Sequence, residues 1–293
     1  MSFPDLIDLH MHSVVSDGTD TPLELLMKVK ERGIDLFSLT DHDAIKGCEI
    51  ILQKIRTSKE PLPLFITGAE FSCRDEEGKY HILGYGYDPN GDSMRAIVAH
   101  GHSLRITKLK QRLSFIKERF GFDFDEKDIR WLFELDNPGK PHIANLMVRY
   151  GYARDKKEAF DSFLNQKRFR NEYVRPEEAI ESILKSGGIP VLAHPAYGDG
   201  DQIIVGEELD ARIRRLMDFG LQGVEAYYSG FTPRLQSSLL ALAEKYDLYV
   251  TAGSDYHGTN KMIPLAENNL ASAKEGAPGL QRFINKMLES IDQ

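Results

Sequence analysis

The residues best suited to chemistry stand close together near the N-terminus. A largely apolar run over residues 6–9 leads directly into His10 and His12, which are separated by one residue. Because side chains on an extended strand alternate between its two faces, both imidazoles should project from the same face. Two imidazoles on one face suit a single metal ion. An isolated pair of this kind is more often two surface histidines, so the rest of the chain has to decide between the two interpretations.

The same residue types recur where other apolar runs end. Imidazoles and carboxylates stand there at seven further positions, namely Asp17, His42, Glu70, His81, His194, Asp255 and His257. Taken singly, each has an ordinary explanation as a turn residue, a helix cap or a solvated acid. Taken together, they favour a metal cluster, because this supply of ligands exceeds the needs of one tetrahedral site. Nitrogen and oxygen ligands of this kind suit manganese, zinc or iron.

Alternating strands and helices are predicted to hold these residues. Thr21, Pro22 and Glu24 fit a capping box that begins the first helix. Further strands are predicted at residues 36–40, 64–69, 81–83, 189–193, 223–226 and 248–252, with helices at about 47–56, 176–186, 207–219 and 233–246. The alternation indicates an α/β fold with a parallel sheet, and this many units favour a closed barrel. In such a barrel, functional groups collect at the carboxyl ends of the strands.

Between residues 89 and 174 the pattern changes to helical spacing alone. Helices are predicted at 94–120, 126–135, 142–150 and 156–164. We interpret 89–174 as a helical insertion that covers the mouth of a barrel formed by residues 1–88 and 175–293. The long first helix carries a basic stretch that should face solvent, consisting of Arg105, Lys108, Lys110, Arg112, Lys117 and Arg119.

Composition and charge exclude several classes of protein. The 293-residue chain has a formal net charge of −8, so it lacks the basic footprint of a protein that coats nucleic acid. A small anionic substrate remains compatible with this charge. Cys48 and Cys73 are too few for a disulfide framework or a thiolate zinc site. Without a signal-like segment or a membrane-length apolar run, we predict a cytoplasmic protein with no membrane partner. Nothing in the pattern indicates an oligomeric state.

Six short motifs resemble, in order, those of the PHP (polymerase and histidinol phosphatase) phosphoesterases. They are His10-Met11-His12, Asp17-Gly18, Thr40-Asp41-His42-Asp43, Gly68-Ala69-Glu70, His194-Pro195 and Gly253-Ser254-Asp255-Tyr256-His257. The resemblance covers residues 8–257 apart from the predicted insertion. It implies a distorted (β/α)₇ barrel whose mouth holds two or three divalent metal ions, with manganese first and zinc or iron as alternatives.

The resemblance also implies how the ligands are divided among the metal ions. One ion would be held by His10, His12, Glu70 and Asp255. Glu70 would bridge it to a second ion, which is held by His81 and His194. The third ion would be held by Asp17, His42 and His257. The residues expected to carry the catalysis are His10, His12, Glu70, His194 and Asp255.

We predict a metal-dependent phosphatase that acts on small nucleotides, either nucleoside monophosphates or 3′,5′-bisphosphates. Divalent ions lower the pKa of bound water from about 15.7 towards 7, so a metal-bound hydroxide can attack the phosphorus without a covalent enzyme intermediate. A helical lid suits a nucleotide because it can enclose one. Three alternatives stay open: a 5′–3′ exonuclease that trims short oligonucleotides, a histidinol-phosphate phosphatase and a non-catalytic metal-binding PHP domain.

Two places in the insertion are candidates for contacts with the phosphorylated substrate. His142 follows a turn and should stand at the start of a helix, where an anion is favoured. It is an equally good ordinary first-turn residue. Arg168 and Arg170 can take a phosphate in a bidentate manner, although a charged run of this kind is more often solvated.

Overall fold

Seven strands and ten α-helices account for most of residues 3–199 and 202–291, the part of the chain that the computed structural model describes. The strands are β1 Ile7–Asp8, β2 Leu36–Leu39, β3 Leu64–Arg74, β4 Lys79–Tyr85, β5 Ile189–Leu192, β6 Gly223–Tyr228 and β7 Tyr249–Gly253. The helices are α1 Pro22–Glu31, α2 Lys46–Thr57, α3 Asp92–Phe120, α4 Glu126–Glu134, α5 Lys140–Arg149, α6 Lys156–Glu158, α7 Pro176–Lys185, α8 Gly206–Asp218, α9 Pro233–Lys245 and α10 Pro278–Ile291.

Local sequence signals explain where several elements begin. The capping box predicted for α1 is present, because Thr21 Oγ1 accepts from the Glu24 N–H at 3.3 Å and Glu24 Oε2 accepts from the Thr21 N–H at 2.8 Å. The helix predicted over residues 156–164 is less regular than expected. After the single turn of α6, the chain continues as a π-helical turn (Ala159–Phe163) and a 3₁₀ turn (Leu164–Gln166).

The strands pair in chain order and the sheet closes on itself. β1 to β3 are parallel to one another, and so are β5 to β7. The two edges meet where the Leu9 N–H donates to Ala252 O at 2.9 Å and the Asp255 N–H donates to His10 O at 2.8 Å. The predicted distorted (β/α)₇ barrel is therefore confirmed, and the carboxyl ends of its parallel strands surround one mouth.

One strand departs from the predicted parallel sheet. β4 runs antiparallel to both β3 and β5. A tight turn causes this reversal: the side chain of Asp75 accepts hydrogen bonds from the N–H groups of Glu77 and Gly78, at 2.9 and 3.2 Å, and joins β3 to β4 as a hairpin. The amino end of β4 consequently lies beside the carboxyl end of β3, at the mouth.

The helix α3 connects the barrel to the other helices between β4 and α7. Met94 and Ile97, in its first half, belong to the large buried core that the barrel strands share with the surrounding helices. Leu109 and Ile116, in its second half, belong to a separate core with α4, α5 and the turns after α6. None of the helices in the described ranges is long and apolar enough to cross a membrane.

Candidate metal centre

The barrel brings all nine predicted ligands to one mouth, where each is buried or half-buried. They come from the segment after β1 (His10, His12, Asp17), the segment after β2 (His42), the strands β3 (Glu70) and β4 (His81), the segment after β5 (His194) and the segment after β7 (Asp255, His257). His81 reaches the mouth because β4 is antiparallel, which places a residue from the beginning of that strand opposite the end of β3.

Glu70 lies at the centre of this group and is only 1% exposed. Imidazole nitrogens surround both oxygens of its carboxylate. Oε2 lies 3.3 Å from His10 Nε2, 3.2 Å from His12 Nε2 and 3.1 Å from His42 Nδ1. Oε1 lies 2.7 Å from His81 Nδ1 and 3.3 Å from His194 Nε2. Because imidazole nitrogens lie near both of its oxygens, the Glu70 carboxylate is placed to bridge two cations.

Two more carboxylates extend the cluster on either side of His257. Asp255 Oδ1 lies 3.4 Å from His257 Nδ1, 3.3 Å from His12 Nε2 and 3.5 Å from His10 Nε2. Asp17 Oδ1 lies 3.4 Å from His257 Nε2 and 3.9 Å from His12 Nδ1. His12 therefore faces both the Glu70 side and the Asp17 side of the cluster.

Buried polar atoms without partners indicate that the cluster is arranged to bind cations. Six of its atoms are buried and form no hydrogen bond: His10 Nε2, His12 Nε2, His42 Nδ1, His194 Nδ1, Asp17 Oδ1 and Glu70 Oε2. Three groups have ligand atoms within 4.8 Å of one another, namely His10 with His12 and Glu70, His42 with Glu70 and His81, and His12 with Asp17, His42 and His257. Buried polar atoms are normally paired, so their convergence here fits divalent metal ions.

Burial and neighbouring charge set the protonation states of the ligands. Burial alone would raise the pKa values of Glu70, Asp17 and Asp255, but the surrounding imidazoles lower each of them well below the usual range. Burial lowers the pKa of His42 well below its ordinary value and that of His81 to about 4, against the opposing charge of Glu70. Burial also opposes the charged forms of His10 and His12, but the neighbouring carboxylates outweigh it and raise the pKa of His12 to about 9 and that of His10 well above its ordinary value. Ionised carboxylates and neutral imidazoles are the forms that bind divalent cations, so a bound cation would take the place of the protons on these two histidines.

Two buried carboxylates behind the cluster fix the backbone that carries the ligands. Asp8 accepts hydrogen bonds from the N–H and the hydroxyl of Ser254, at 3.0 and 2.6 Å, directly before Asp255. Asp41 accepts from the N–H and the hydroxyl of Ser13, both at 2.7 Å, directly after His12. These ligands are therefore held in place from the barrel side.

The backbone is strained where two ligands leave their strands. His194 and Asp255 have φ angles of 28° and 55°, in the left-handed region that non-glycine residues rarely adopt. Such strain persists only where the surrounding structure enforces it and is typical of functional sites. Close packing also explains Gly253, since a Cβ at this position would lie 2.2 Å from His10 Cβ and 2.7 Å from Glu225 Oε1.

Glu225 is a functional residue that the sequence interpretation missed. It is fully buried in β6, where Oε1 accepts from His10 Nδ1 at 2.9 Å and Oε2 accepts from the His194 N–H at 2.8 Å. A proton on Nδ1 leaves Nε2 of His10 free to bind metal, so Glu225 orients one ligand and selects its tautomer. One sequence signal could have indicated Glu225: it is a single carboxylate within an apolar strand, and a carboxylate is rarely buried in a strand without a role.

The basic stretch of α3 faces solvent only in part: Lys110, Lys117 and Arg119 are exposed as predicted, whereas Lys108 and Arg112 are buried. Lys108 is 6% exposed and Arg112 is 9% exposed, and both line a pocket that also contains Asp17, His42 and His81. The prediction was wrong for Lys108 and Arg112 because the spacing of charges along a helix does not show what lies opposite them. Here the barrel mouth and the segment before α7 cover these two residues.

Comparison with known proteins identifies the family. Residues 8–222 match the family model of the PHP domain, which is well over half of the chain. The chain belongs to the PHP family. The resemblance inferred from the six motifs is thereby confirmed.

Several PHP relatives cover nearly the whole chain. A 5′–3′ exoribonuclease from Haemophilus influenzae is 28% identical over 264 residues, covering 89% of this chain and 93% of that protein. A 3′,5′-nucleoside bisphosphate phosphatase from Chromobacterium violaceum is 28% identical over 260 residues, covering 86% of this chain and 87% of that protein. A phosphoribosyl 1,2-cyclic phosphate 1,2-diphosphodiesterase from Eggerthella lenta is 29% identical over 272 residues, covering 88% of this chain and 96% of that protein.

A solved structure shares the fold over the same extent. A proposed metal-dependent phosphoesterase from Bifidobacterium adolescentis is 25% identical in sequence and superposes with a TM-score of 0.78. The match covers 97% of this chain and 96% of that one. The barrel and the helices between β4 and α7 therefore both have counterparts in this solved structure.

The residues predicted to contact substrate lie at different distances from the PHP cluster. His142 is half-buried in the first turn of α5, and its Nδ1 accepts from the Gly139 N–H at 3.0 Å. Burial lowers the pKa of His142, while the charge of Asp17 opposes that shift. Arg168 and Arg170 are exposed, and Arg170 lines a separate pocket with Arg175. The structure thus brings His142 towards the cluster and leaves the two arginines at the surface.

Proposed function

We propose that this PHP protein is a metal-dependent phosphatase that hydrolyses phosphomonoesters of small nucleotides. The buried cluster around Glu70, in which three carboxylates and six imidazoles face one another, carries the proposal. The names of the relatives support a phosphoric ester as the substrate, since they describe a phosphatase, a diphosphodiesterase and an exoribonuclease. Two of these names refer to nucleotides or RNA: the phosphatase is named for nucleoside bisphosphates, and the exoribonuclease is named for RNA.

Two or three divalent ions are the cofactors in this proposal, with manganese first and zinc or iron as alternatives. The proposed ligand sets are His10, His12, Glu70 and Asp255 for one ion, Glu70, His81 and His194 for a second, and Asp17, His42 and His257 for a third. When bound, such ions polarise a phosphoryl oxygen and lower the pKa of coordinated water. The donor set suits this chemistry because its unpaired atoms are imidazole nitrogens and carboxylate oxygens.

The chain itself positions the reacting groups. Glu225 orients His10, and the Tyr228 hydroxyl donates to Asp255 Oδ2 at 2.9 Å while the Lys261 ammonium pairs with the same oxygen. Asp17, Glu70 and Asp255 all face imidazoles, so they serve as ligands and none is free to attack phosphorus. We therefore assign the attack to water and expect no phosphorylated enzyme.

The insertion is proposed to close over the mouth and enclose one nucleotide. Lys46 of the barrel pairs with Asp136 of the insertion at 2.7 Å, and Lys156 bonds Asn260. These contacts tie the helices of residues 89–174 to both sides of the barrel. His142 is the proposed substrate contact nearest the cluster.

Trimming of short oligonucleotides is the second candidate function. The relative from Haemophilus influenzae is named an exoribonuclease and aligns with 89% of this chain. Arg168 and Arg170 are exposed, and in this candidate function they would meet the phosphates of a longer strand. A non-catalytic domain and a histidinol-phosphate phosphatase have less support, because the ligand set is complete and the named relatives act on other esters.

Two unpaired, buried cysteines support a reducing compartment, so we also propose that the protein works in the cytoplasm. Purified protein loaded with Mn²⁺ should release phosphate from a panel of nucleoside monophosphates and bisphosphates. Chelator should remove that activity, and added Mn²⁺ should restore it. Release of mononucleotides from a 5′-phosphorylated oligonucleotide without phosphate release would favour the exonuclease. No turnover of any nucleotide or oligonucleotide would reject both functions.

A further inference from the structure

A group of basic side chains lines the pocket beside the metal ligands. Lys108 and Arg112 come from α3, Lys79 from β4 and Lys140 from the first turn of α5. Asp17, His42 and His81 line the same pocket. A molecule in this pocket would touch the ligand cluster on one side and the basic side chains on the other.

The two basic residues of α3 are buried without an ionic partner. Neither the ammonium group of Lys108 nor the guanidinium group of Arg112 forms a hydrogen bond or an ion pair with another residue of the described chain. Buried basic groups are normally paired, because an uncompensated buried charge destabilises the folded protein. Two such basic groups side by side indicate that an anion from outside the chain completes them. Burial and the neighbouring Arg105 lower the pKa of Lys108 well below its ordinary value, and an anion bound there favours the charged form.

Aromatic rings hold these charges in position. Lys108 Nζ lies 3.8 Å from the centre of the Tyr173 ring, and the Arg112 guanidinium lies 4.6 Å from the centre of the Phe169 ring. Ring faces attract cations but cannot neutralise them. The segment before α7 therefore orients both groups and leaves their hydrogen-bond donors available.

Neighbouring basic residues behave differently and serve as a contrast. Arg105, on the same helix, donates to Asp43 Oδ2 at 2.6 Å and to Ser72 Oγ at 3.1 Å. Lys117, further along α3, is exposed and pairs with Asp123. Lys108 and Arg112 thus differ from these two, because neither has a hydrogen-bond or ionic partner among the described residues.

We propose that Lys108 and Arg112 form a second phosphate subsite, which binds a phosphate other than the one hydrolysed at the metal cluster. The inference rests on the proposed function and narrows it. The preferred substrates are then nucleotides with two phosphate groups, and nucleoside monophosphates are poor substrates because they leave the subsite empty.

The charge of the pocket favours a terminal phosphate at this subsite. A phosphomonoester carries about −1.5 to −2 charges near neutral pH, whereas a phosphodiester carries one. Lys79 and Lys140 also line the pocket, so up to four basic groups act on the bound anion, besides Arg105, which is paired with Asp43. We therefore assign the second phosphate to a nucleoside bisphosphate. A short 5′-phosphorylated dinucleotide is the alternative ligand, because it also carries a second phosphate.

The decisive variant is Lys108→Met, which removes the charge and keeps an unbranched side chain against Tyr173. Lys110→Met is the matched control, because Lys110 is exposed on the same helix. The kcat/KM values of the Mn²⁺-loaded proteins are measured for a nucleoside 3′,5′-bisphosphate, the 3′- and 5′-monophosphates, and a 5′-phosphorylated dinucleotide. We expect Lys108→Met to lower kcat/KM for the bisphosphate about tenfold or more, mainly through KM, and to change the monophosphate values less than about twofold.

Each outcome of this experiment decides the proposal. An equal loss for bisphosphate and monophosphates, or no loss for either, overturns the second subsite. The assignment to a terminal phosphate is overturned if wild type prefers the dinucleotide to the bisphosphate and Lys108→Met loses that preference. Lys108→Met should also unfold at a higher temperature than wild type without ligand, because a buried basic group without a hydrogen-bond or ionic partner is gone. Arg112→Gln serves as a second variant if Lys108→Met does not fold.

A binding measurement separates this inference from the proposed function. Calorimetric titration of the chelator-treated protein with the bisphosphate tests the subsite without turnover. If wild type binds the bisphosphate and Lys108→Met binds it at least tenfold more weakly, the result supports the subsite even if no nucleotide is hydrolysed. Equal binding by wild type and Lys108→Met rejects the subsite even if the phosphatase activity is found.

Discussion

Replacing Glu225 by glutamine is a direct test of how the metal centre is held. The two carboxylate oxygens accept from His10 Nδ1 at 2.9 Å and from the His194 N–H at 2.8 Å, and Glu225 is fully buried. Glutamine offers only one acceptor oxygen. Its amide nitrogen must then face one of the two donors, so one of these hydrogen bonds cannot form.

Both possible orientations of the glutamine weaken metal binding. If its NH₂ group faces His10, the imidazole accepts at Nδ1 and carries its proton on Nε2, the atom that points towards Glu70 and Asp255. If the NH₂ group faces His194, that backbone N–H loses its partner and the strained segment around His194 shifts. Loss of an outer partner of a ligand typically lowers metal affinity about 10- to 100-fold, which is about 1.4–2.8 kcal/mol.

The affinity for Mn²⁺ is best measured by calorimetry on chelator-treated protein, alongside the free energy of unfolding. Glu207→Gln, at an exposed position on α8, controls for the loss of one charge from the protein. The expected result is a 10- to 100-fold higher Kd for Glu225→Gln and an unchanged Kd for the control. A Kd within about twofold of wild type would show that Glu225 does not orient His10, and the tautomer argument would have to be abandoned.

Three further outcomes follow from individual contacts. Asp255→Ala removes a proposed ligand, so phosphate release should fall below about 1% of wild type while the circular dichroism spectrum is retained; full activity would exclude Asp255 from the site. Gly253→Ala places a methyl group 2.2 Å from His10 Cβ, so the apo-protein should lose about 1–3 kcal/mol of stability in urea, and an unchanged midpoint would contradict this packing. Burial raises the pKa of Cys48 to about 12 and that of Cys73 well above its usual value, so neither thiol should react with Ellman's reagent at pH 8 until the protein is denatured; rapid labelling of the folded protein would refute their burial.

Much of the barrel could be predicted from the sequence because its signals are local. Apolar runs of strand length alternate with amphipathic stretches, and a capping box marks the start of α1. The direction of β4 could not be predicted in this way. It depends on the turn at Asp75, where side-chain hydrogen bonds reverse the chain, and a strand has the same apolar pattern whichever way it runs.

The predicted ligands converge because they occupy a shared position, the mouth end of successive strands. Glu225 was missed since it lies within β6 and contacts its partners from the side, so no strand end marks it. Lys108 and Arg112 were misplaced for a related reason. The charge pattern of α3 shows an amphipathic helix, but only the tertiary structure shows that Tyr173 and Phe169 cover the charged face.

The net charge of −8 conceals a separation of charge within the mouth. The ionised carboxylates of Asp17, Glu70 and Asp255 lie on one side, and the unpaired groups of Lys108 and Arg112 lie on the other. Without metal, the carboxylates repel a phosphate that approaches the cluster, while the basic groups still attract one. Binding of divalent cations reverses the charge on the carboxylate side, so both ends of the pocket then attract phosphate. A ligand with two phosphates should therefore gain much more affinity from metal loading than an anion that fills the basic subsite alone.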